Sequence, residues 1–279
     1  MSDNKKWYKL VFKQIQPIHI GVGSYGVVNE TRIFIPGWTM WGALTKAYNL
    51  QNNQPLSENQ KLFENISCFY PCFNKDGRDA LFPKFKNGDF HLGKYSEDKF
   101  RARFIDSFVS TAINPRSNTA LDESLHELNI ILPGVKADYL EKEEKKEKKQ
   151  QLYWVGIIGF NEEDFPNEFL KEDLEIFIGG DARYGLGRII LENKEGPFEK
   201  IPDEWDSKDG VLKNYYPLES GEQKVKEGKI ELLIEIQESW KEAELQVKLR
   251  QDKGLFYVPG SIMNKEIDLN KITKGILSN

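Results

Sequence analysis

The side chains from which many enzymes build reactive centres are scarce in this chain. Two cysteines, Cys68 and Cys72, and three histidines, His19, His91 and His126, serve 279 residues. The cysteines sit in Cys-Phe-Tyr-Pro-Cys with no second pair, and His91 is the nearest imidazole, so a zinc site lacks ligands. Two buried thiols in a reducing compartment are expected. The histidines are too scattered to define a Ser/His/Asp or Cys/His set. No apolar run is long enough to cross a bilayer, and the start, Met-Ser-Asp-Asn-Lys-Lys-Trp, lacks the apolar stretch of a secretion signal. A cytoplasmic protein without a membrane partner, metal or cofactor is the expectation.

Aromatic residues, by contrast, are plentiful. They make up 12% of the chain within a hydrophobic content of 39%, enough for a substantial core and tilted toward sheet. The length fits one large or two ordinary domains.

Cations are outnumbered, giving a formal charge of −5, but the charges are unevenly spread. Residues 1–50 hold six Lys/Arg (Lys5, Lys6, Lys9, Lys13, Arg32, Lys46) against Asp3 and Glu30. Residues 99–121 hold Lys99, Arg101, Arg103 and Arg116 against Asp106. Residues 162–175 are strongly acidic. A basic face and an acidic face on one molecule suit a subunit of a nucleoprotein assembly, and suit ordinary solvated surface equally.

The most informative segment is Gly179-Gly180-Asp181-Ala182-Arg183-Tyr184-Gly185-Leu186-Gly187-Arg188, set between the apolar runs 174–178 and 189–191. Glycines admit positive φ and close approach of backbone amides to a ligand. Arg183 and Arg188 supply planar donors for phosphate oxygens, and Tyr184 a face on which a base can stack. The segment reads as a grip for a polyanion or as a plain glycine-rich hairpin. A P-loop would continue with Lys and Ser/Thr into a helix. A dinucleotide fingerprint would also run into a helix, whereas Arg-Ile-Ile-Leu continues here as strand.

Along the chain, strands are expected over 7–20, 32–35, 125–132, 152–160, 174–178, 189–191, 228–240 and 243–250. Helices are expected over 40–49, capped by Thr39, and over 56–65, capped by Ser57. Gly21, Gly23 and Gly26 are expected in a flexible loop, and 99–109 reads as helix or extended chain. Residues 141–151 are a charge-balanced insertion, and 192–220 a linker or irregular lobe. Phe256-Tyr257-Val258-Pro259-Gly260-Ser261 echoes Ile33-Phe34-Ile35-Pro36-Gly37-Trp38, as two related halves would. The pattern predicts an α+β fold on an antiparallel sheet, a common platform for single-stranded RNA. Lys46 is expected off the apolar face of the first helix. Arg101 and Arg103 share a side if their segment is extended.

Three stretches together resemble one family. Ile18-His19-Ile20-Gly21-Val22-Gly23, followed by Phe34-Ile35-Pro36-Gly37-Trp38-Thr39-Met40-Trp41-Gly42-Ala43-Leu44, is similar to the amino-terminal signature of RAMP proteins of CRISPR effector complexes. That signature reads IPG-S-x-x-x-GAL, with Trp38 here in the serine's place. Thr111-Ala112-Ile113-Asn114-Pro115 resembles the family's A-I-D/N segment; Pro115 stands where arginine is usual, and Arg116 follows. The glycine segment is similar to the family's GG-x-x-x-x-G-x-GR hallmark. These motifs fall within residues 18–191.

The resemblance implies a ferredoxin-like (RRM-like) core that holds CRISPR RNA within a type III complex. With the Pro-Gly echo, two such modules with insertions are expected: residues 1–191 as the RNA-binding core and 192–279 as a carboxy-terminal lobe or second half-module. Other RAMP subunits and the large signature subunit would be neighbours, with target RNA contacted indirectly. The early loop 24–32 has Glu30 but no aspartate, so target cleavage is not implied. The length beyond the glycine segment favours a subunit capping the guide's 5′ handle. A backbone subunit and a metal-independent processing endoribonuclease are the alternatives. Expected RNA-contacting residues are His19, Gly21, Gly23, Lys46, Arg101, Arg103, Arg116, Gly179, Gly180, Arg183, Tyr184, Gly185, Gly187 and Arg188.

Overall fold

A computed structural model describes residues 5–136, 150–218, 225–233, 235–241, 244–250, 254–264 and 271–278. The fold is mixed α+β, dominated by antiparallel sheet, with two α-helices among the described residues. Residues 141–149 of the charged insertion lie outside them.

The first strand, β1 (Lys6–Gln14), puts Leu10, Val11 and Phe12 wholly out of solvent. It is the middle of a five-stranded sheet. A hairpin, β2 (Gly21–Tyr25) and β3 (Val28–Thr31), follows. Gly21 and Gly23 are therefore strand residues rather than a flexible loop, and Gly26 takes the turn at φ +61°.

The helix α1 (Gly37–Gln51) starts directly after Pro36, so Thr39 lies inside it and caps nothing. Met40, Ala43 and Leu44 are its buried face, and Lys46 is exposed. No second helix forms over 56–65. The Asn49 side chain binds the carbonyls of Leu56 and Glu58, and Asn59 adopts φ +55°, so turns replace it.

Strand β4 (Tyr70–Cys72) leads to a meander of β5 (Pro83–Lys86), β6 (Asp89–Leu92) and β7 (Tyr95–Ser96). Ser96 then caps α2 (Glu97–Phe104), whose first turn carries Glu97 and Asp98. Strand β8 (Ile105–Ser110) enters an arm turned by the short strands β9 (Ile113–Asn114) and β10 (Thr119–Ala120). The arm returns as β11 (His126–Ile131). Next come β12 (Tyr153–Phe160), β13 (Glu175–Phe177) and β14 (Arg188–Phe198).

The main sheet has the order β13-β14-β1-β12-β4, all pairs antiparallel. Helix α1 spans the connection from β1 to β4. Between β12 and β13 the chain makes a short 3₁₀ turn, Glu162–Asp164, and no α-helix. A second sheet, β2-β3-β11-β8, is antiparallel except for the parallel pair β3–β11.

The carboxy-terminal strands are β15 (Tyr216–Pro217), β16 (Val225–Glu227), β17 (Ile230–Leu232), β18 (Glu235–Lys241) and β19 (Glu244–Arg250), then β20 (Leu255–Tyr257), β21 (Ile262–Met263), β22 (Lys271–Thr273) and β23 (Ile276–Ser278). They form β15-β20-β17, β16-β21, β18-β19 and β22-β23. No α-helix lies among the described residues after Phe104, so they hold no second βαββαβ module. The Pro-Gly echo ends at Gly260, where φ +91° makes a turn into β21 instead of a helix.

One apolar core joins both ends of the chain. Phe12, Ile35, Leu44, Phe69 and Trp154 share it with Trp205, Leu212, Tyr215, Ile272 and Leu277. Within it Asn214 accepts the Cys68 amide at 2.7 Å, and the Tyr70 hydroxyl donates to the Lys213 carbonyl. Both cysteines are free and buried, and burial pushes each thiol up to about 12. Among the described residues no helix is long and apolar enough to cross a membrane.

Candidate nucleic-acid interface

The glycine segment folds back on the link between β1 and β2. Gly179 holds φ +74°, and a Cβ there would lie 2.0 Å from the His19 carbonyl oxygen. Gly187, at φ +91°, would place one 2.2 Å from the Ile178 carbonyl oxygen. Only glycine fits such positions. The amides of Gly180 and Gly187 donate to the carbonyls of His19 (3.0 Å) and Pro17 (2.8 Å). Those of Tyr184 and Gly185 close a 3₁₀ turn over Ala182–Tyr184. These four amides are spent inside the protein and are not free to grip a ligand, and Gly179 and Gly187 permit close packing.

That packing places the segment against the second sheet. Leu186, nearly buried, sits with Leu128 and Ile130 of β11 in a small apolar cluster. Above it a cleft of about 190 Å³ is lined by His19, Asn29, Phe108, His126, Leu128, Asp181 and Tyr184. Phe108 faces Leu128 and Ser110 faces His126 across the β8–β11 ladder, so these four share the cleft's side of the sheet. The rings of Phe108 and Tyr184 stand 6.1 Å apart, and Tyr184 is half exposed. The Arg183 guanidinium lies over the Tyr184 ring at 5.2 Å and forms no ion pair among the described residues. A cation, an aromatic face and a polar cleft thus meet at one edge.

His19 is 7% exposed, with Nδ1 2.8 Å from the Asn129 carbonyl oxygen. A carbonyl only accepts, so Nδ1 carries the hydrogen in this contact. His126 has Nε2 2.7 Å from the Ser110 hydroxyl.

Other expected residues lie apart from the cleft or are already engaged. Arg188 is engaged, binding Glu175 at 2.6 Å. Residues 97–104 are helical, which separates Arg101 from Arg103 instead of aligning them. Arg103 turns inward, 5% exposed, over the Tyr95 ring. Arg101 binds Glu97 (2.8 Å) and Glu30 (3.1 Å). Arg116 is exposed at the arm's tip, beyond Asn114. Gly21 and Gly23 are exposed on β2, with Gly21 beside the His19 ring. Much of the amino-terminal positive charge is neutralised: Lys6 pairs with Glu199, Lys9 with Glu195 and Arg32 with Glu231.

Sequence reasoning missed Asn29, Phe108, His126, Leu128 and Asp181 as cleft residues. For Phe108, His126 and Leu128 the signal was the two-residue alternation of β8 and β11, hidden because the start of β8 also read as helix.

No family profile matches the chain, and no curated protein matches it in sequence. Solved structures do match. The chain is similar in fold to a chain of the type III-B Cmr-β complex. That complex was solved by cryo-EM bound to cognate target RNA. The likeness has a TM-score of 0.54 at 13% identity and covers 91% of this chain and 86% of the other. A second Cmr-β structure, bound to cognate target RNA and AMPPNP, gives 0.53 at 13% identity over 91% and 85%.

Proposed function

We propose that this chain is a non-catalytic RNA-binding subunit of a type III CRISPR effector complex, of the RAMP superfamily, holding the 5′ handle of the guide. The observation that carries the reading is the cleft between the glycine segment and the second sheet. There Arg183, Tyr184 and Phe108 present charge and aromatic surface to a strand of RNA. Likeness in fold to Cmr-β chains over 91% of the length supports placing it in such a complex. The strand order β14-β1-β12-β4 fits a ferredoxin-like βαββαβ unit, with the second helix reduced to the 3₁₀ turn at 162–164. The choice of handle capping over a backbone role rests on the long chain after the glycine segment.

In this mechanism Arg183 neutralises a phosphate, and Tyr184 with Phe108 receives an unstacked base. Asn29, His19 and Asp181 offer hydrogen-bonding groups to its edge. The glycines act by fixing the loop, since their amides are largely committed.

The test is binding of a guide RNA to the chain carrying both Arg183→Ala and Tyr184→Ala. Affinity should fall at least about tenfold, and the salt dependence should lose about one phosphate contact. Unchanged affinity and salt slope would refute the interface. His19→Ala should leave any RNA cleavage by the complex intact; its loss in EDTA with normal assembly would favour the endoribonuclease.

A further inference from the structure

On the opposite face of the β2–β3 hairpin lies a larger cleft, of about 680 Å³. Asn29 and Glu30 are neighbours on β3, so strand alternation sends one toward the smaller cleft and the other toward this one. Its floor is apolar, built from Ile33, Phe34, Phe85, Phe90 and Val258. At its walls Val22 and Leu232 are 45% and 58% exposed, an apolar surface continuing outward.

Its charges are of the wrong sign for RNA. Five carboxylates (Glu30, Asp89, Glu97, Asp98, Glu231) line it against three cations (Arg32, Arg101, Lys229). Arg32 is committed to Glu231, and Arg101 to Glu97 and Glu30. Asp89 and Asp98 are exposed and have no cation partner among the described residues. A phosphate backbone is repelled here, while an aliphatic or aromatic anchor with flanking positive charge is matched on both counts.

We propose that this cleft docks a segment of a neighbouring protein subunit that presents an apolar side chain flanked by lysine or arginine. The inference rests on the reading that the chain works inside a ribonucleoprotein. It gives the hairpin two faces with two partners, RNA on one and protein on the other.

The test uses the complete ribonucleoprotein, purified with all its subunits, carrying the photoreactive residue benzoylphenylalanine at position 98. Irradiation and mass spectrometry should identify a cross-link to a different protein chain, at an apolar residue with Lys or Arg beside it. Cross-links to RNA or to this chain itself, or none, would overturn the proposal. Independently, Asp89→Lys with Asp98→Lys should lower recovery of that neighbour about tenfold or more while guide RNA stays bound within about twofold. Equal recovery of the neighbour would also overturn it. A wild-type chain that holds no guide RNA would instead count against the proposed function, leaving the protein cross-link as a separate result.

Discussion

Gly179 shows how much of the site depends on a missing side chain. Its φ of +74° is strained for other residues, and an added Cβ would lie 2.0 Å from the carbonyl that anchors the loop. Gly179→Ala should therefore cost on the order of 2–4 kcal/mol, through strain and loss of the His19–Gly180 hydrogen bond. Gly23 is the control, since a Cβ there meets nothing within 4 Å. Gly23→Ala should stay within about 0.5 kcal/mol. Urea unfolding of the two variants checks this, and equal costs would show that the loop is not held by that contact. The arginines divide in the same way. Arg188 is bound to Glu175, while Arg183 lies over Tyr184 with no acid partner among the described residues. Two guanidinium groups five residues apart in the sequence therefore have different work to do.

At the scale of elements, the arm from β8 to β11 combines apolar side chains with exposure. Val109 is 57% exposed, Ile113 66% and Leu121 51%, so these residues add little to folding. Replacing 112–121 by Asn-Gly should leave the melting temperature within about 2 °C, because no core contact is removed. The same change should weaken RNA binding several-fold if the arm extends the interface. A large drop in melting temperature would instead make the arm part of the fold. Elements with one dominant pattern were legible in the sequence: the apolar run of β12, the strands flanking the glycine segment, and β11. The start of α1 was not, because Thr39 is a plausible cap while the preceding Pro36-Gly37 sets the real boundary. The 99–109 segment was ambiguous because its Lys99, Arg101 and Arg103 fit either period. The Ser96 cap and the acids of the first turn decide for helix over its first half. The cleft itself was half legible: its loop is a motif, but its opposite wall is made by pairing across about twenty residues of arm.

For the whole molecule, the question is whether residues 192–279 stand apart from the rest. The contacts say that they complete the fold. Arg32, between β3 and α1, makes a two-point ion pair with Glu231 of β17, and the Tyr215 hydroxyl joins both. Trp205, Leu212, Tyr215 and Leu277 are almost wholly buried in the core that also contains Phe69 and Tyr70. Gly37 and Gly275 touch so closely that a Cβ on Gly37 would fall 2.3 Å from the Gly275 amide nitrogen. Removing 199–279, which leaves β14 whole beside β1, would expose β4 and the amino end of α1 and leave Arg32 without its carboxylate, losses that no single domain absorbs easily. A fragment ending at 198, which keeps β14 whole, should therefore lose its near-ultraviolet circular dichroism and bind a hydrophobic dye, where the full chain does neither. A native-like, cooperatively unfolding fragment would show that the amino-terminal core is an autonomous domain. In that case the Arg32–Glu231 pair would be a contact between domains, and the double-mutant cycle of Arg32→Ala and Glu231→Ala would report their docking energy instead of the stability of one shared core.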